Sequence, residues 1–152
     1  MKITDGTPYV EEVKELICEY NRFLGRDLTF QNIDTELADL PAKYSPPEDR
    51  LLCAVNDSGE VIGCVAYHRH SDVRCEMKRL YVRPEYRELK AGRKLIEAIL
   101  ELAKADGYEE MVLDTIRPLQ SAIHLYLKYG FEECEPYYNN PMPDVIYMKK
   151  KL

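Results

Sequence analysis

A chain of 152 residues and 17.7 kDa has the size of one domain around a single core, with no room for two catalytic units, so one domain over residues 1–152 is expected. Its 45% apolar and 32% charged residues exclude a disordered or fibrous chain, and a net charge of -6 sets it against nucleic-acid phosphate and anionic membrane surfaces. There is no apolar run of signal or membrane-span length, and the five cysteines are odd in number without a Cys-x-x-Cys pair; this reads as a cytoplasmic protein with reduced packing cysteines and no metal framework.

Thr7 followed by Pro8 predicts a helix start, with a capping hydroxyl and then a ring pre-set for the first turn. Val10, Val13, Leu16, Ile17, Tyr20 and Leu24 recur at helical spacing until Gly25. Phe30, Ile33, Leu37 and Leu40 continue at steps of three and four up to Pro41, predicting a second, shorter helix. Residues 51–55 are a compact apolar run, residues 56–59 (Asn-Asp-Ser-Gly) are turn chemistry, and residues 61–67 are rich in strand formers, which together predict a hairpin. A third strand over residues 74–82 stops before Pro84, which has no N–H for a ladder. The helical period returns at Ala91, with Leu95, Ala98, Ile99 and Leu102 on one face and charges on the other, and Gly107 closes it. Residues 111–115 form a short buried strand. Pro118 opens a last helix with Ala122, Ile123, Leu125, Tyr126 and Tyr129 inward, ended by Gly130. Residues 131–138 and 144–150 read as two strands around a Pro- and Asn-rich loop. The strand-helix-strand passage around Ala91 implies one parallel pair in an otherwise antiparallel sheet. The fold class is mixed α/β (α+β), a central sheet flanked by about four helices.

Residues 83–94 break the pattern of charge. Arg83, Arg87, Lys90, Arg93 and Lys94 stand against Glu85 and Glu88, a net of +3 in twelve residues that leaves -9 on the other 140. A helix N-terminus already bears about half a positive charge, so cations there destabilise by a few tenths of a kcal/mol each unless an anion is bound. The first helix, with Glu11 and Glu12, obeys the rule that this one breaks. Unpaired backbone N–H groups, a helix dipole and side-chain cations are together what a phosphate or pyrophosphate needs; the plain alternative is a solvated helix face. Gly92 favours the ligand, because glycine in a helix costs roughly 1 kcal/mol relative to alanine and is accepted where something approaches the backbone closely. The segment is neither a Walker loop nor a dinucleotide fingerprint, since it has no Gly-Lys-Ser/Thr and no three spaced glycines.

Residues 80–95, Leu-Tyr-Val-Arg-Pro-Glu-Tyr-Arg-Glu-Leu-Lys-Ala-Gly-Arg-Lys-Leu, resemble the acetyl-CoA signature of the GCN5-related N-acetyltransferases. In that signature an Arg or Gln is followed by two residues, Gly, one residue and a Gly or Ala; Arg87, Lys90 and Gly92 stand at those positions. Residues 122–131, Ala-Ile-His-Leu-Tyr-Leu-Lys-Tyr-Gly-Phe, resemble the last helix of the same family, and the order of elements agrees from about residue 51 onward, roughly two thirds of the chain. The resemblance implies a GNAT-like fold whose parallel strand pair is splayed, with acetyl-CoA as co-substrate. It implies that the backbone of Leu80, Tyr81 and Val82 pairs with the pantetheine arm, and that Arg87, Glu88, Leu89, Lys90, Ala91, Gly92, Arg93 and Lys94 form the diphosphate cradle. Two departures stand out. Lys90 replaces the first family glycine, trading a permissive backbone position for a cation, and Leu119 stands where the family often has Asn.

The implied chemistry is acetyl transfer to the primary amine of a small molecule or peptide, by direct attack in a ternary complex. A free alkyl amine has a pKa near 10.4, so a carboxylate must take its proton. Glu76, on the strand leading into the cradle, is the first choice and Asp114 the second; a structural pairing of Glu76 with Lys78 or Arg74 is the alternative. By resemblance the acid is Tyr126, four residues after Ala122, held by Phe131 in a Schellman cap, the alternative being an inward packing tyrosine. His68-x-His70 has no third ligand in sight and Cys134 no nearby His or Asp, so neither a metal site nor a nucleophile is assigned. The tyrosine-rich segment 137–141 reads as an acceptor wall or as a core cover. The rival from another class is a catalytically silent acyl-CoA binding or regulatory module, and a homodimer is left open.

Overall fold

The computed structural model describes the backbone of all 152 residues and every side chain apart from those of Thr29, Glu88 and Leu89. Seven strands form one sheet: β1 (Lys2–Asp5), β2 (Arg50–Val55), β3 (Val61–Arg69), β4 (Arg74–Val82), β5 (Glu110–Ile116), β6 (Glu132–Cys134) and β7 (Val145–Lys151), in the order β1-β2-β3-β4-β5-β7-β6. Five helices flank it: α1 (Val10–Leu24), α2 (Ile33–Ala38), α3 (Leu40–Lys43), α4 (Ala91–Ala105) and α5 (Gln120–Lys128). No helix of the described residues is long and apolar enough to cross a membrane.

The sheet buries both faces because both sets of helices are amphipathic. Val13, Leu16 and Ile17 of α1, one helical turn apart, pack with Leu40, Tyr44, Cys53, Cys64, Ala66 and Tyr81 into a core on one face. Leu95, Ile96, Ile99 and Ala103 of α4 pack with Ile62, Val65, Met77, Met111 and Leu113 on the other, where Tyr126 of α5 and Phe131 join them. The helix ends follow the glycines: Gly25 at φ 62° caps α1 through its N–H to the Asn21 carbonyl, and Gly107 and Gly130 take φ 94° beyond α4 and α5.

Every expected strand and the parallel pair are present, and five details differ from expectation. The last helix starts at Gln120 with Leu119 as its N-cap, so Pro118 lies in the turn before it. Lys2–Asp5 is a strand, paired antiparallel with β2, that no sequence pattern announced. Thr7 does not cap α1; Thr7 to Tyr9 is a 3₁₀ turn containing Pro8, and the Thr7 hydroxyl donates to Asp5 Oδ1 at 2.9 Å. The single helix expected up to Pro41 is divided at Asp39 into α2 and α3, and Pro41 lies in the first turn of α3, where its missing N–H has no helical partner to lose. Residues 131–138 supply only the three-residue β6, so Tyr137 and Tyr138 lie in the loop.

The sheet opens at its centre. β4 and β5 pair in parallel only at Arg74↔Glu110, Cys75↔Met111 and Glu76↔Val112, after which β5 continues along β7 and β4 along β3. A bulge in β4 accompanies the opening: Cys64 pairs with Tyr81 but Ala66 with Lys78, and Arg79 takes φ 61°. The extra residue resets the alternation. Lys78 and Arg79, consecutive in sequence, both face the α1–α3 side, while Leu80 and Val82 turn to the α4 core.

Candidate active site

The opening between β4 and β5 leads into a cleft of about 490 Å³. Leu80, Tyr81 and Val82 form one wall, Pro118 to Ala122 with Leu125 and Tyr126 another, and Arg87, Lys90, Gly92 and Arg93 one end. Seven of the residues expected to hold the cofactor are thus brought together. Ala91 is fully buried beneath the helix start and Lys94 is exposed outside the cleft wall, while the side chains of Glu88 and Leu89 lie outside the described residues.

Physical reasons for an anion to settle at this end accumulate residue by residue. The first amides of α4 have no intrahelical acceptor and the helix dipole is positive there. Arg83 is engaged by Glu19 at 3.1 Å and by Glu15, but none of Arg87, Lys90, Arg93 and Lys94 is in an ion pair with a described residue. Arg87 is steadied by its Nε donating to the Val82 carbonyl and by lying over the Phe23 ring. Lys90 caps the helix at φ 59°, a left-handed conformation that suits glycine, which is the residue type the signature carries there. At Gly92 a Cβ would find nothing nearer than Leu125 Cδ2 at 3.7 Å. The protein's own packing therefore does not demand a glycine at this point.

A second, smaller cavity of about 70 Å³ lies across the same opening, on the α1–α3 side, and shares Tyr20, Leu80, Leu119 and Tyr126 with the cleft. Its polar wall is made of Gln31, Lys78, Arg79, Asp114, Thr115 and Asn140. Tyr126 is held as the sequence implied: the Phe131 ring packs edge-on at 5.8 Å, the Phe131 N–H reaches the Tyr126 carbonyl at 3.0 Å, and Gly130 bonds to Leu127 in the same cap. Its hydroxyl forms no hydrogen bond with a described residue, and burial raises its pKa, so it is a protonated donor at neutral pH. Tyr20, which helical spacing marked only as a packing residue, stacks on Tyr81 at 5.4 Å, and burial pushes its pKa up to about 12.

The two candidate carboxylates have different surroundings. Asp114 Oδ2 accepts from Asn140 Nδ2 at 2.7 Å and from the Tyr138 hydroxyl, and the residue lines the cavity that Tyr126 also lines. Glu76 is 5% exposed and lines neither space; Oε1 meets His68 Nε2 at 2.7 Å and Oε2 accepts from the Tyr137 hydroxyl at 2.5 Å. Burial favours its neutral form, but those hydrogen bonds and the Lys78 charge outweigh it and hold the carboxyl at about 2. Arg79 is likewise committed, with Nε and Nη2 on the two oxygens of Glu36 at 2.7 and 2.9 Å and Nη1 on Gln31 at 2.9 Å. His68 belongs to this network, and among the described residues no group of three or more His, Cys, Asp or Glu is arranged to hold a metal ion. Sequence pattern marks Tyr20 only as a packing residue, Lys78 only as a partner for Glu76 and Asn140 only as part of the 137–141 wall, and gives Arg79 no role, because each joins the site through the bulge or through contacts distant in sequence.

The family model for acetyltransferases (GNAT) matches residues 10–131. The chain belongs to the GNAT family. This N-acetyltransferase is 46% identical over 144 residues to an uncharacterized N-acetyltransferase of Schizosaccharomyces pombe, covering 94% of this chain and 88% of the relative. Its fold is like that of a GNAT acetyltransferase from Staphylococcus aureus, with TM-score 0.82 and 22% identity over 99% of this chain and 98% of that one. It is also like a GNAT acetyltransferase from Elizabethkingia anophelis with acetyl-CoA bound, with TM-score 0.62 and 23% identity over 80% and 82% of the chains. The mixed sheet with its single parallel pair is the GNAT fold, and GNAT enzymes use acetyl-CoA.

Proposed function

We propose that this GNAT enzyme, working in the cytoplasm, transfers the acetyl group of acetyl-CoA directly to the primary amine of a small molecule or peptide while both are bound. The observation that carries the reading is the junction of the two cavities at Tyr20, Leu80, Leu119 and Tyr126. A thioester lying along Leu80, Tyr81 and Val82 and an amine in the Asp114 cavity then meet beside the Tyr126 hydroxyl, and holding two reactants in contact removes much of the entropic barrier to attack. When bound, acetyl-CoA supplies an acyl group already activated as a thioester. The diphosphate is held by Arg87, Lys90, Arg93 and the amides of Ala91 and Gly92, with Glu88, Leu89 and Lys94 bordering the same turn.

Asp114 takes the amine proton in this reading, because it is the carboxylate that lines the shared cavity. Glu76, first on sequence grounds, acts here as a positioning residue. A carboxyl held at about 2 is a weak base, and its oxygens are spent on His68 and Tyr137. Tyr126 donates a hydrogen bond to the departing sulfur. A thiol has a pKa of about 8.5, and Tyr126 lies above the ordinary tyrosine value, so full proton transfer is uphill and stabilisation of the developing charge is its contribution. Tyr126→Phe should lower kcat about 10- to 100-fold, with the Kd for CoA changed less than twofold. Equal loss in both would refute the role. Saturable CoA binding with no thiol released across a broad amine panel would instead favour the silent-module reading.

A further inference from the structure

We infer that the amine acceptor is a small zwitterionic α-amino acid, its carboxylate received by Lys78 and Gln31 and its amine by Asp114. The inference rests on the acetyl-transfer reading and narrows its substrate. The whole chain is acidic, which on its own favours cationic amines, but the cavity wall carries a different local pattern.

Lys78 is the central observation. Its side chain is nine-tenths buried, it lines the cavity, and its ammonium has no hydrogen-bond acceptor among the described residues. Lys78 does form the ion pair with Glu76 that is the structural alternative for that carboxylate, but at 3.9 Å from Oε1 it is beyond hydrogen-bond reach, and both Glu76 oxygens are already engaged by His68 and Tyr137. A desolvated ammonium without an acceptor is costly, and a substrate anion that lands on it recovers that cost through a charge-assisted hydrogen bond. Burial pulls its pKa down to about 8, which leaves it mostly charged at neutral pH and ready to receive an anion.

The neighbouring cation does not compete. Arg79 is closed off by both oxygens of Glu36, and its third contact fixes the Gln31 carbonyl oxygen toward the guanidinium, leaving the Gln31 amide NH2 available as a donor on that wall. Asp114 presents the opposite charge in the same cavity, with Oδ2 tied to Asn140 and Tyr138 and Oδ1 without a described partner. Lys78 and Asp114 therefore face one space without forming an ion pair with each other. A molecule bearing a carboxylate and an ammonium on one and the same carbon satisfies both at once. The volume of about 70 Å³ and the apolar part of the wall, which includes Leu24, Leu28 and Met142, fit a short side chain. In the reaction, the ammonium first gives one proton to Asp114; the free amine then forms a bond to the thioester carbonyl carbon, the carbon–sulfur bond breaks with the electron pair leaving on sulfur, and the second proton lost by the nitrogen ends on that thiolate, which departs as the thiol.

The test compares glycine, L-alanine and L-serine with their α-carboxamides as acceptors, reading thiol release from acetyl-CoA. The acids should be acetylated, and Lys78→Met should lower the acid-to-amide ratio of kcat/KM about 10- to 100-fold through KM, while Lys78→Arg retains most of it. As a measurement independent of any variant, the acids should raise the melting temperature of the CoA-loaded wild-type protein and the amides should not. Acids and amides used equally by both proteins, or polyamines and peptides acetylated while no amino acid is, would overturn the inference and leave the acetyl-transfer reading standing. No amine acetylated in the presence of tight CoA binding would overturn that reading itself.

Discussion

Replacing Gly92 by alanine separates what folding requires from what a ligand requires. The added Cβ would lie 3.7 Å from Leu125 Cδ2 and 3.9 Å from Val82 Cγ2, ordinary contact distances, and Gly92 is not among the residues with positive φ. The free protein therefore has no steric objection to a methyl group. Alanine is preferred over glycine in a helix by up to about 1 kcal/mol, equivalent to roughly 2–4 °C in Tm for a chain of this length. Bound diphosphate would meet the methyl group instead: the signature carries Gly or Ala at this position, but here Lys90 stands at the first signature glycine and leaves Gly92 as the one glycine where the ligand can approach the backbone. Pushing a phosphate oxygen from about 2.9 Å to about 3.6 Å from a backbone amide ends the hydrogen bond, and bonds to charged groups contribute about 1.5–3 kcal/mol, so the Kd for CoA should rise about 10- to 100-fold. Thermal melts with and without CoA, together with calorimetric titration, read both quantities on one protein. An apo Tm that is unchanged or raised, with weakened CoA binding, is the expected pair. A destabilised apo protein, or an unaltered Kd, would refute the reasoning.

Two further substitutions address the framework around the site. Glu36 is buried, and although burial favours its neutral form, hydrogen bonds and charge from Arg79 and Lys43 hold its carboxyl at about 2, against about 4.5 for a free one; at 1.36 kcal/mol per unit this is worth roughly 3 kcal/mol. A depressed carboxyl pKa contributes stability above about pH 4.5 and loses it as the pH falls toward 2. Glu36→Gln should therefore lower unfolding free energy by about 3 kcal/mol at pH 7, by urea denaturation, with the gap from wild type narrowing between pH 5 and pH 3; a constant gap would count against the buried pair. Lys90→Gly should relieve the left-handed lysine and raise stability by about 0.5–1 kcal/mol, since glycine's greater freedom when unfolded offsets part of the gain. The same change removes a cradle cation, so acetyl-CoA affinity should become less sensitive to salt; an unaltered salt slope would exclude Lys90 from the anion site.

The framework was legible wherever short-range chemistry decides it. The spacing of Val13, Leu16 and Ile17, the glycines after α1, α4 and α5, and the Asn-Asp-Ser-Gly turn each act within a few residues, and each is found as read. The cation cluster at Arg87, Lys90 and Arg93 was visible because it contradicts the helix dipole beside it. β1 was not visible: its four residues include only one strongly apolar side chain, Ile3, and it exists because β2 offers a free edge at Leu52 to Val55. The roles of Lys78, Arg79 and Asn140 were hidden for a related reason. A one-residue bulge moves Arg79 to the face a regular strand would deny it, and partners such as Glu36 and Asp114 stand tens of residues away.

The short run of pairing between β4 and β5 has a mechanical consequence. Beyond Glu76 and Val112 the main chain on either side of the gap has no strand partner across it, so on the proposed reading the guest completes the sheet as well as reacting within it. Loading should then slow deuterium uptake at the amides of 80–82 and stiffen the two halves of the molecule against each other, which makes the empty protein the softer and more protease-sensitive of the two forms.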